Sequence, residues 1–204
     1  MTPILACYMP NTASRDILRA SVYAYSPETP IIILPSSGAT FGESYNNAMR
    51  QMFEAYDEII ISNDDVVLTP NTVSDLMADV ERLKESVGDK LGIVATYADS
   101  IRASQSIKFN ERICRELDRV SPVFGWISKK AFSDCPFPPL NWYSDDVICE
   151  DLNALGYRHF VSSAYVHHAG SLTIGHDHAA LNAAAMPWLQ ENRPQYLQKW
   201  FGGV

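Results

Sequence analysis

The sequence predicts an α/β protein whose central sheet is mostly parallel and flanked by helices. Its first half alternates strand-like and helix-like segments, in the order strand, helix, strand, helix, strand, helix, strand. The 204 residues, of which 47% are hydrophobic, are enough for one sizeable core. Neither an internal repeat nor a linker divides the chain, so we expect a single domain over residues 1–204.

The seven elements of the first half follow from the spacing of apolar residues. Runs of apolar, often β-branched residues indicate strands, whereas apolar residues that recur every three or four positions indicate helices. Turn-forming proline, asparagine, serine and glycine separate these segments. We expect strands at 3–10, 30–34, 58–62 and 91–97, and helices at 13–25, 43–56 and 72–84.

The second half of the sequence is less regular. Residues 122–128 are apolar, and a helix is indicated over 145–155, where Gly156 ends it. A further strand is expected at 158–166. Ligands of parallel α/β sheets bind beyond the carboxyl ends of the strands, so the loops after the strands are where we expect a site.

Charge and cysteine content limit the class of protein. The net charge of −8 opposes non-specific attraction to nucleic acid or anionic lipid, and an anionic ligand would call for a metal ion. Without a long apolar run or a basic segment before the first apolar run, we expect neither membrane insertion nor a signal peptide. Four widely spaced cysteines predict reduced thiols and a cytoplasmic location. They are Cys7, Cys114, Cys135 and Cys149.

An acidic turn follows the third predicted strand. Asn63, Asp64 and Asp65 lie between that strand and a second apolar pair. Oxygen ligands at a strand end suit a hard divalent cation such as Mg²⁺ or Mn²⁺. Two adjacent carboxylates are also typical of a solvated turn or of helix capping, and the triplet alone leaves both interpretations open.

A second acidic pair begins the helix predicted at 145–155. Asp145 and Asp146 follow Trp142 and Tyr143 directly. Carboxylates in a first helical turn are favoured by the helix dipole, which is one interpretation of this pair. The other makes Asp145 a general base in a partly desolvated environment beside the two aromatic rings.

Four of the five histidines fall within residues 167–178, after the last predicted strand. One imidazole from this cluster together with Asp65 would leave open positions on a metal ion for phosphate oxygens. The spacing does not match the helical H-x-x-x-H pattern, so we do not expect a structural zinc site. The sequence also lacks a P-loop, a dinucleotide-binding G-x-G-x-x-G and a G-x-S-x-G elbow.

Several short motifs succeed one another along almost the whole chain. In the first half they are Met9-Pro10-Asn11-Thr12, Leu34-Pro35-Ser36-Ser37, Tyr45-Asn46-Asn47 and Asn63-Asp64-Asp65. In the second half they are Phe124-Gly125-Trp126, Ser144-Asp145, Gly156-Tyr157, His168-Ala169-Gly170-Ser171-Leu172-Thr173 and the closing segment 196–203.

In this order and spacing the motifs resemble those of the family 2 glycosyltransferases, which have the GT-A fold. The family's base motif stands a fixed distance before a Gly-Tyr helix stop, which places the base on Asp145 with Asp146 as the alternative. Its strand-end histidine motif favours His168 over His167 as a metal ligand. Serine replaces the acidic residue that commonly touches the nucleobase in the family, so the nucleobase stays open.

The resemblance implies a nucleotide-sugar-binding half over residues 1–99 and an acceptor half over 100–204. It implies inverting, metal-dependent transfer of a sugar from a UDP-, GDP- or dTDP-linked donor. Asp65 and His168 would bind Mn²⁺ or Mg²⁺, the Phe124-Gly125-Trp126 segment would lie on the acceptor side, and Asp145 would deprotonate the acceptor hydroxyl. The donor would be bound by Pro10, Asn11, Ser36, Ser37, Asn47, Asn63, Asp64 and Lys199.

The sequence leaves the acceptor and the oligomeric state open. A glycan, a lipid-linked sugar or a modified DNA base would each provide the acceptor hydroxyl. Phosphoryl transfer of the haloacid-dehalogenase type would need Asp-x-Asp after the first strand, which the sequence lacks. The alternative to an enzyme is a non-catalytic nucleotide-sugar- or glycan-binding module with the same fold.

Overall fold

One sheet of eight strands forms the centre of the molecule in the computed structural model, which describes residues 1–8, 13–170 and 177–202. The strands lie in the order β2-β1-β3-β7-β5-β8-β4, and β6 pairs with β8. They are β1 (Ile4–Tyr8), β2 (Ile31–Pro35), β3 (Glu58–Ser62), β4 (Val66–Leu68), β5 (Leu91–Ala98), β6 (Arg115–Leu117), β7 (Phe124–Ser128) and β8 (Arg158–His168).

The sheet is mixed, with most strands in one direction. β1 is parallel to β2 and β3, β5 is parallel to β8, and both β3 and β5 are antiparallel to β7. Five of the eight described strands therefore share one direction, and β4, β6 and β7 are reversed. The predicted α/β class and mostly parallel sheet are confirmed. The antiparallel insertion of β7 was not predicted, because an apolar run that is buried on both faces does not reveal its direction.

The helices cover both faces of this sheet. Four of them match the predicted segments to within a few residues, whereas the short helix after β7 and the two helices after β8 were not predicted. The described helices are α1 (Ser14–Tyr25), α2 (Phe41–Met52), α3 (Thr72–Val87), α4 (Lys129–Asp134), α5 (Ser144–Ala154), α6 (His178–Asn192) and α7 (Pro194–Phe201).

A capping box sets the start of α2 two residues earlier than predicted. The Thr40 hydroxyl accepts a hydrogen bond from the Glu43 backbone N–H, and the Glu43 carboxylate accepts one from the Thr40 N–H. Two otherwise unpaired donors at the helix start are satisfied in this way. The apolar spacing did not show this, because the first helical turn depends on capping groups rather than on burial.

Two apolar layers form on the two faces of the sheet. In β3, Ile59 and Ile61 pack in the layer with Met49 of α2, whereas Ile60 packs in the layer with Leu18 and Leu76. This division follows from the alternation of side chains along a strand. The continuous apolar run of β3 is thus explained by burial on both sides.

The segment Phe124-Gly125-Trp126 lies in this core rather than on an acceptor surface. Phe124 and Trp126 are 0% and 2% exposed, and the Trp126 indole N–H donates to the Glu58 carboxylate. The expectation of an acceptor-side contact from this segment is therefore wrong. The sequence misled here because a Gly-aromatic pair looks the same in a central strand as in a binding loop.

The four cysteines, all within the described part of the chain, are free thiols. No helix among the described residues is of the length and apolarity needed to cross a membrane.

The start of α2 packs directly against the chain that leads into α5. The Gly42 N–H donates to the Leu140 carbonyl at 3.1 Å, and the Ser144 hydroxyl donates to the Pro138 carbonyl at 3.2 Å. A Cβ atom on Gly42 would lie 1.8 Å from the Pro138 oxygen. Glycine at this position therefore lets α2 and the segment before α5 approach each other.

We expect Gly42→Ala to destabilise the protein by about 2 kcal/mol or more, because the methyl group overlaps backbone atoms that cannot move independently. Chemical denaturation would measure the free energy of unfolding. Gly202→Ala adds the same methyl group in open space, in the left-handed helical region at a φ of +71° and a ψ of +34°, and should cost only about 1 kcal/mol. Equal losses in the two variants would contradict the close packing of α2 against the segment before α5.

Candidate active site

A cleft of about 870 Å³ opens at the carboxyl ends of the parallel strands, the edge at which the sequence predicted a site. Segments after β2, β3, β5 and β8 contribute to its walls, and the first turn of α5 closes one side. Seven of the predicted site residues line this cleft. They are Ser36, Asn63, Asp64, Asp65, Asp145, Asp146 and His168.

Asp65 and His168 meet in the cleft although they are far apart in the sequence. The antiparallel pairing of β4 with β8 sets Val66 opposite His168, which brings the preceding Asp65 beside the imidazole. The Asp65 Oδ1 atom lies 3.2 Å from His168 Nε2, and the two side chains are only 4% and 8% exposed. Sheet register thus positions this pair.

The hydrogen bonds of His168 fix the direction of its ring. Nδ1 donates to the Ser100 carbonyl at 2.6 Å, which leaves Nε2 directed at Asp65. Burial lowers the pKa of His168, but the bonds to Asp65 and Ser100 outweigh burial and raise it above the usual value. His167 points to the other face of the strand, is 55% exposed and pairs with Asp99. The structure therefore places His168, and not His167, in the cleft.

The Asp65–His168 pair has the spacing of two neighbouring metal ligands. Two donors on adjacent positions of a six-coordinate ion with bonds of about 2.1 Å are about 3.0 Å apart, close to the 3.2 Å found here. A carboxylate oxygen suits Mn²⁺ or Mg²⁺, and the added imidazole nitrogen favours the transition-metal ion Mn²⁺ of these two. Within the described residues no group of three or more His, Cys, Asp or Glu side chains is placed to hold a metal. Water or a ligand would therefore have to complete the coordination.

Asp64 has a structural role in addition to its place in the cleft wall. Its Oδ2 atom accepts a hydrogen bond from the Ser14 hydroxyl at 2.8 Å, and Ser14 is the first residue of α1. The bond ties the turn after β3 to the start of that helix. Asp64 thus bonds a side chain at the start of α1, whereas Asp65 lies beside His168.

Arg102 holds the second acidic pair in place. Its guanidinium donates to Asp145 Oδ2 at 2.9 Å and to Asp146 Oδ1 at 3.0 Å, while Arg119 donates to the same Asp146 oxygen. Burial and the charge of Asp145 raise the pKa of Asp146, although both arginines oppose this. Burial lowers the pKa of Arg102, but the two carboxylates more than compensate and raise it. The cluster is a compact ion network at the wall of the cleft.

The two aspartates of this network differ in exposure. The Asp145 side chain is 24% exposed and that of Asp146 only 11%. Asp145 accepts from the Ser121 hydroxyl and the Asp146 N–H in addition to Arg102. A carboxylate has about four lone-pair sites, so these three bonds leave room for one more donor. Asp145 is therefore the more accessible of the two carboxylates to a ligand in the cleft.

Tyr143, two residues before Asp145, has a strained backbone. Its φ of +66° is the only positive φ of a non-glycine residue in the described part of the chain. The hydroxyl donates to Asn182 of α6 at 2.8 Å, and the ring stacks on Trp200 of α7 at 5.6 Å. Contacts from the two C-terminal helices thus maintain a conformation that a bulky residue rarely adopts.

Several predicted site residues lie elsewhere. Ser37 and Asn47 line a neighbouring depression of about 310 Å³ and hydrogen-bond to each other. The Lys199 ammonium donates to Glu150 at 2.8 Å, and the structure does not bring Lys199 to the cleft. The predicted contacts of Pro10 and Asn11, and the Ser171–Thr173 part of the histidine motif, lie outside the described residues.

Sequence reasoning missed Arg102, Ser121 and Ser100. All three line the cleft, and Arg102 and Ser100 follow the carboxyl end of β5. The sequence does contain a signal for Ser100 and Arg102. It predicts a strand at 91–97, and ligands bind beyond the carboxyl ends of such strands. What the sequence did not show is that Arg102 would reach the acidic pair of α5.

Several solved glycosyltransferase structures are similar to this chain. A glycosyltransferase involved in the glycosylation of the major capsid of PBCV-1 has a TM-score of 0.54 and 11% identity, over 91% of this chain and 98% of that one. GalNAc-T7 with UDP, GalNAc and Mn²⁺ has a TM-score of 0.60 and 8% identity, over 91% of this chain and 47% of that one. S. aureus TarS 1–349 in complex with UDP-GlcNAc has a TM-score of 0.56 and 12% identity, over 88% and 61%.

This chain therefore has the GT-A glycosyltransferase fold, as its motifs predicted. It spans less than two thirds of the GalNAc-T7 and TarS structures. No protein-family model and no curated protein matches the sequence. At these low identities the likeness defines the fold, and the reaction has to be argued from the site.

We expect Arg102→Met to lower the free energy of unfolding by about 3 kcal/mol near pH 7, because it leaves two carboxylates at the cleft wall with Arg119 alone. The loss should be smaller near pH 5. Without Arg102 the pKa of Asp146 rises further above its unfolded value, and protonation then relieves the repulsion as the pH falls.

Denaturant titration at the two pH values measures this difference. Arg19→Met is the matched control, since Arg19 makes only a 4.0 Å ion pair at an exposed position of α1 and should change stability by less than about 0.5 kcal/mol. A loss in Arg102→Met that is no larger than in the control, or that grows at low pH, would show that the network does not support the site.

Proposed function

We propose that this protein is an inverting, metal-dependent glycosyltransferase, which moves a sugar from a nucleoside-diphosphate sugar to an acceptor hydroxyl. One observation carries the proposal: a carboxylate–imidazole pair and a hydrogen-bonded carboxylate line the same cleft of a GT-A fold. The carboxylate–imidazole pair would hold a metal ion that neutralises a diphosphate leaving group. The hydrogen-bonded carboxylate would accept the proton of an acceptor alcohol.

In the proposed reaction the acceptor oxygen forms a bond to the anomeric carbon as the bond from that carbon to the diphosphate oxygen breaks. Asp145 takes the hydroxyl proton, and the nucleoside diphosphate leaves with the bonding electron pair. Attack from the face opposite the leaving group inverts the anomeric configuration. Arg102 and Ser121 hold the Asp145 carboxylate in one orientation, so little reorganisation is needed when the acceptor arrives.

Asp65 and His168 would hold Mn²⁺ or Mg²⁺, which when bound neutralises charge on the diphosphate. Ser36 and Asn63, which follow β2 and β3 and line the cleft, would hydrogen-bond the donor. Two neighbouring solved structures contain UDP or a UDP-sugar, which supports a nucleotide-sugar donor for this cleft as well. The protein would thus bind donor and acceptor in one continuous cavity.

Asp145→Asn should lower the transfer rate by about 10²-fold or more, because the amide cannot accept the hydroxyl proton. Donor affinity measured by calorimetry should stay close to that of the wild-type protein. Asp89→Asn makes the same isosteric change at an exposed position just before β5. This position lies at the amino end of that strand, whereas the cleft lies at the carboxyl ends, so the rate should stay unchanged. Full activity of Asp145→Asn would rule out its role as base.

His168→Ala should remove the dependence of nucleoside-diphosphate binding on Mn²⁺, because the cleft loses one of its two metal ligands. Titration of UDP with Mn²⁺ and with chelator would measure that dependence. His167→Ala removes the neighbouring exposed imidazole and should bind UDP as the wild-type protein does. Unchanged metal dependence in His168→Ala would show that the pair does not bind a metal ion.

Slow hydrolysis of a nucleotide sugar in the presence of Mn²⁺ would separate an enzyme from a non-catalytic binding module. A binding module would bind the donor without releasing free sugar.

A further inference from the structure

The strands β1 and β3 separate at their carboxyl ends, at the edge of the sheet where the cleft opens. Their parallel pairing ends with Ala6 opposite Ser62. On both sides of this point the pairing continues. β1 stays paired with β2 as far as Tyr8, and the Asn63 N–H, just after β3, still donates to the Val123 carbonyl just before β7. The sheet therefore divides between β1 and β3.

A tyrosine hydroxyl takes the place of the next hydrogen bond between these two strands. The Ile60 N–H donates to the Pro3 carbonyl, which sets the alternation of bonds along this parallel pair. Continued past the last paired residues, the alternation would join the Cys7 N–H to the Ser62 carbonyl. Instead, the Cys7 N–H donates to the Tyr45 hydroxyl at 3.4 Å, and this hydroxyl donates to the Ser62 carbonyl at 2.5 Å.

Burial holds the Tyr45 side chain in this position. It is only 3% exposed, and its ring lies 4.4 Å from the Phe41 ring in the apolar layer that contains Met49. Burial also raises the pKa of the hydroxyl well above the usual value, so the group stays protonated and remains a donor at neutral pH. Because so little of the side chain is exposed, it acts on a ligand in the cleft through the two strands that it bridges.

The separation of the strands gives the cleft two distinct sides. Cys7 and Ser36 line it on the side of β1 and β2, and residues 63–65 line it on the side of β3. The strand order β2-β1-β3 reverses at β1, and ligands of α/β sheets bind in the crevice at such a point. A direct bond between the strands would bring donor and acceptor to about 2.9 Å, and the inserted hydroxyl keeps them farther apart.

We propose that Tyr45 is a positioning residue, whose hydroxyl keeps the carboxyl ends of β1 and β3 apart and thereby sets the width of the donor side of the cleft. The turn of residues 63–65 would move with the end of β3 if the strands closed. This inference rests on the proposed function, since it concerns donor binding in the same cleft. The strand separation itself is measured without any donor.

Two variants test the separation by NMR. Tyr45→Leu has a side chain too short to reach between the strands, so the Cys7 N–H should bond the Ser62 carbonyl directly. A long-range HNCO spectrum should then show a coupling across that hydrogen bond, which the wild-type protein should lack. Tyr45→Phe keeps the ring but removes the acceptor, so hydrogen exchange of the Cys7 amide should become about tenfold faster or more.

Donor binding is the second readout. We expect both variants to weaken UDP binding in the presence of Mn²⁺ by about fivefold or more, because the two sides of the cleft no longer keep their spacing. In donor hydrolysis the KM for the nucleotide sugar should rise, whereas kcat should stay within about twofold, since Asp145 and its partners are untouched. A purely structural role would instead lower kcat through loss of folded protein and leave KM unchanged.

Tyr97→Phe is the matched control. Tyr97 is also fully buried, its hydroxyl donates to the Ile113 carbonyl at 3.0 Å, and it does not line the cleft. This variant loses a comparable hydrogen bond, so thermal unfolding should show a similar loss of stability. Its UDP affinity and its KM for the nucleotide sugar should equal those of the wild-type protein.

The inference is refuted by a Cys7–Ser62 coupling in the wild-type protein, or by UDP affinity and KM in Tyr45→Phe that match those of Tyr97→Phe. If Tyr45→Leu does not fold, the exchange and binding data for Tyr45→Phe decide. A wild-type protein that neither binds UDP nor hydrolyses any nucleotide sugar refutes the proposed function and, with it, the role of Tyr45 in donor binding. The NMR data then still decide whether the hydroxyl separates the strands.

Discussion

The pairing of β4 with the end of β8 is the contact on which the rest of the site depends. Val66 opposite His168 brings a carboxylate and an imidazole from distant parts of the sequence to within 3.2 Å. Both groups are buried, so they lie where water screens charge poorly and an ion pair or a metal has a large effect. The bond from Asp64 to Ser14 and the bond from His168 to Ser100 connect this contact to α1 and to the loop after β5.

Charge balance governs the other side of the cleft. Asp145 and Asp146 are adjacent in sequence and partly or fully buried, an arrangement that repulsion would oppose without a cation. Arg102, in the loop after β5, supplies that cation, and its bonds give the two aspartates different environments. The Asp146 carboxylate is enclosed and bound by two arginines, whereas the Asp145 carboxylate stays accessible from the cleft. The Arg102 guanidinium thus stabilises both carboxylates, although they differ in exposure.

The C-terminal helices support this side of the cleft from behind. Arg193 and Tyr196 bond Asp151, while Lys199 and Trp200 bond Glu150, so four side chains of α7 and its N-cap residue attach this helix to α5. Tyr143 keeps its strained backbone through contacts with the same two helices. The position of Asp145 therefore depends on residues some fifty positions later, through rigid packing rather than direct contact.

Patterns in the sequence predict the class of fold and most of the acidic and imidazole groups that line the cleft. Apolar periodicity marks strands and helices locally, and polar residues at strand ends stand out against β-branched runs, as Asn63, Asp64 and Asp65 do. Only the folded chain shows that Arg102 bonds Asp145 and that Lys199 bonds Glu150. It also shows that Trp126 is buried, whereas Trp142 borders the cleft. The physical reason is that burial and ion pairing depend on contacts between residues distant in the chain. Local sequence patterns reflect only the conformational preferences of residues adjacent in the chain.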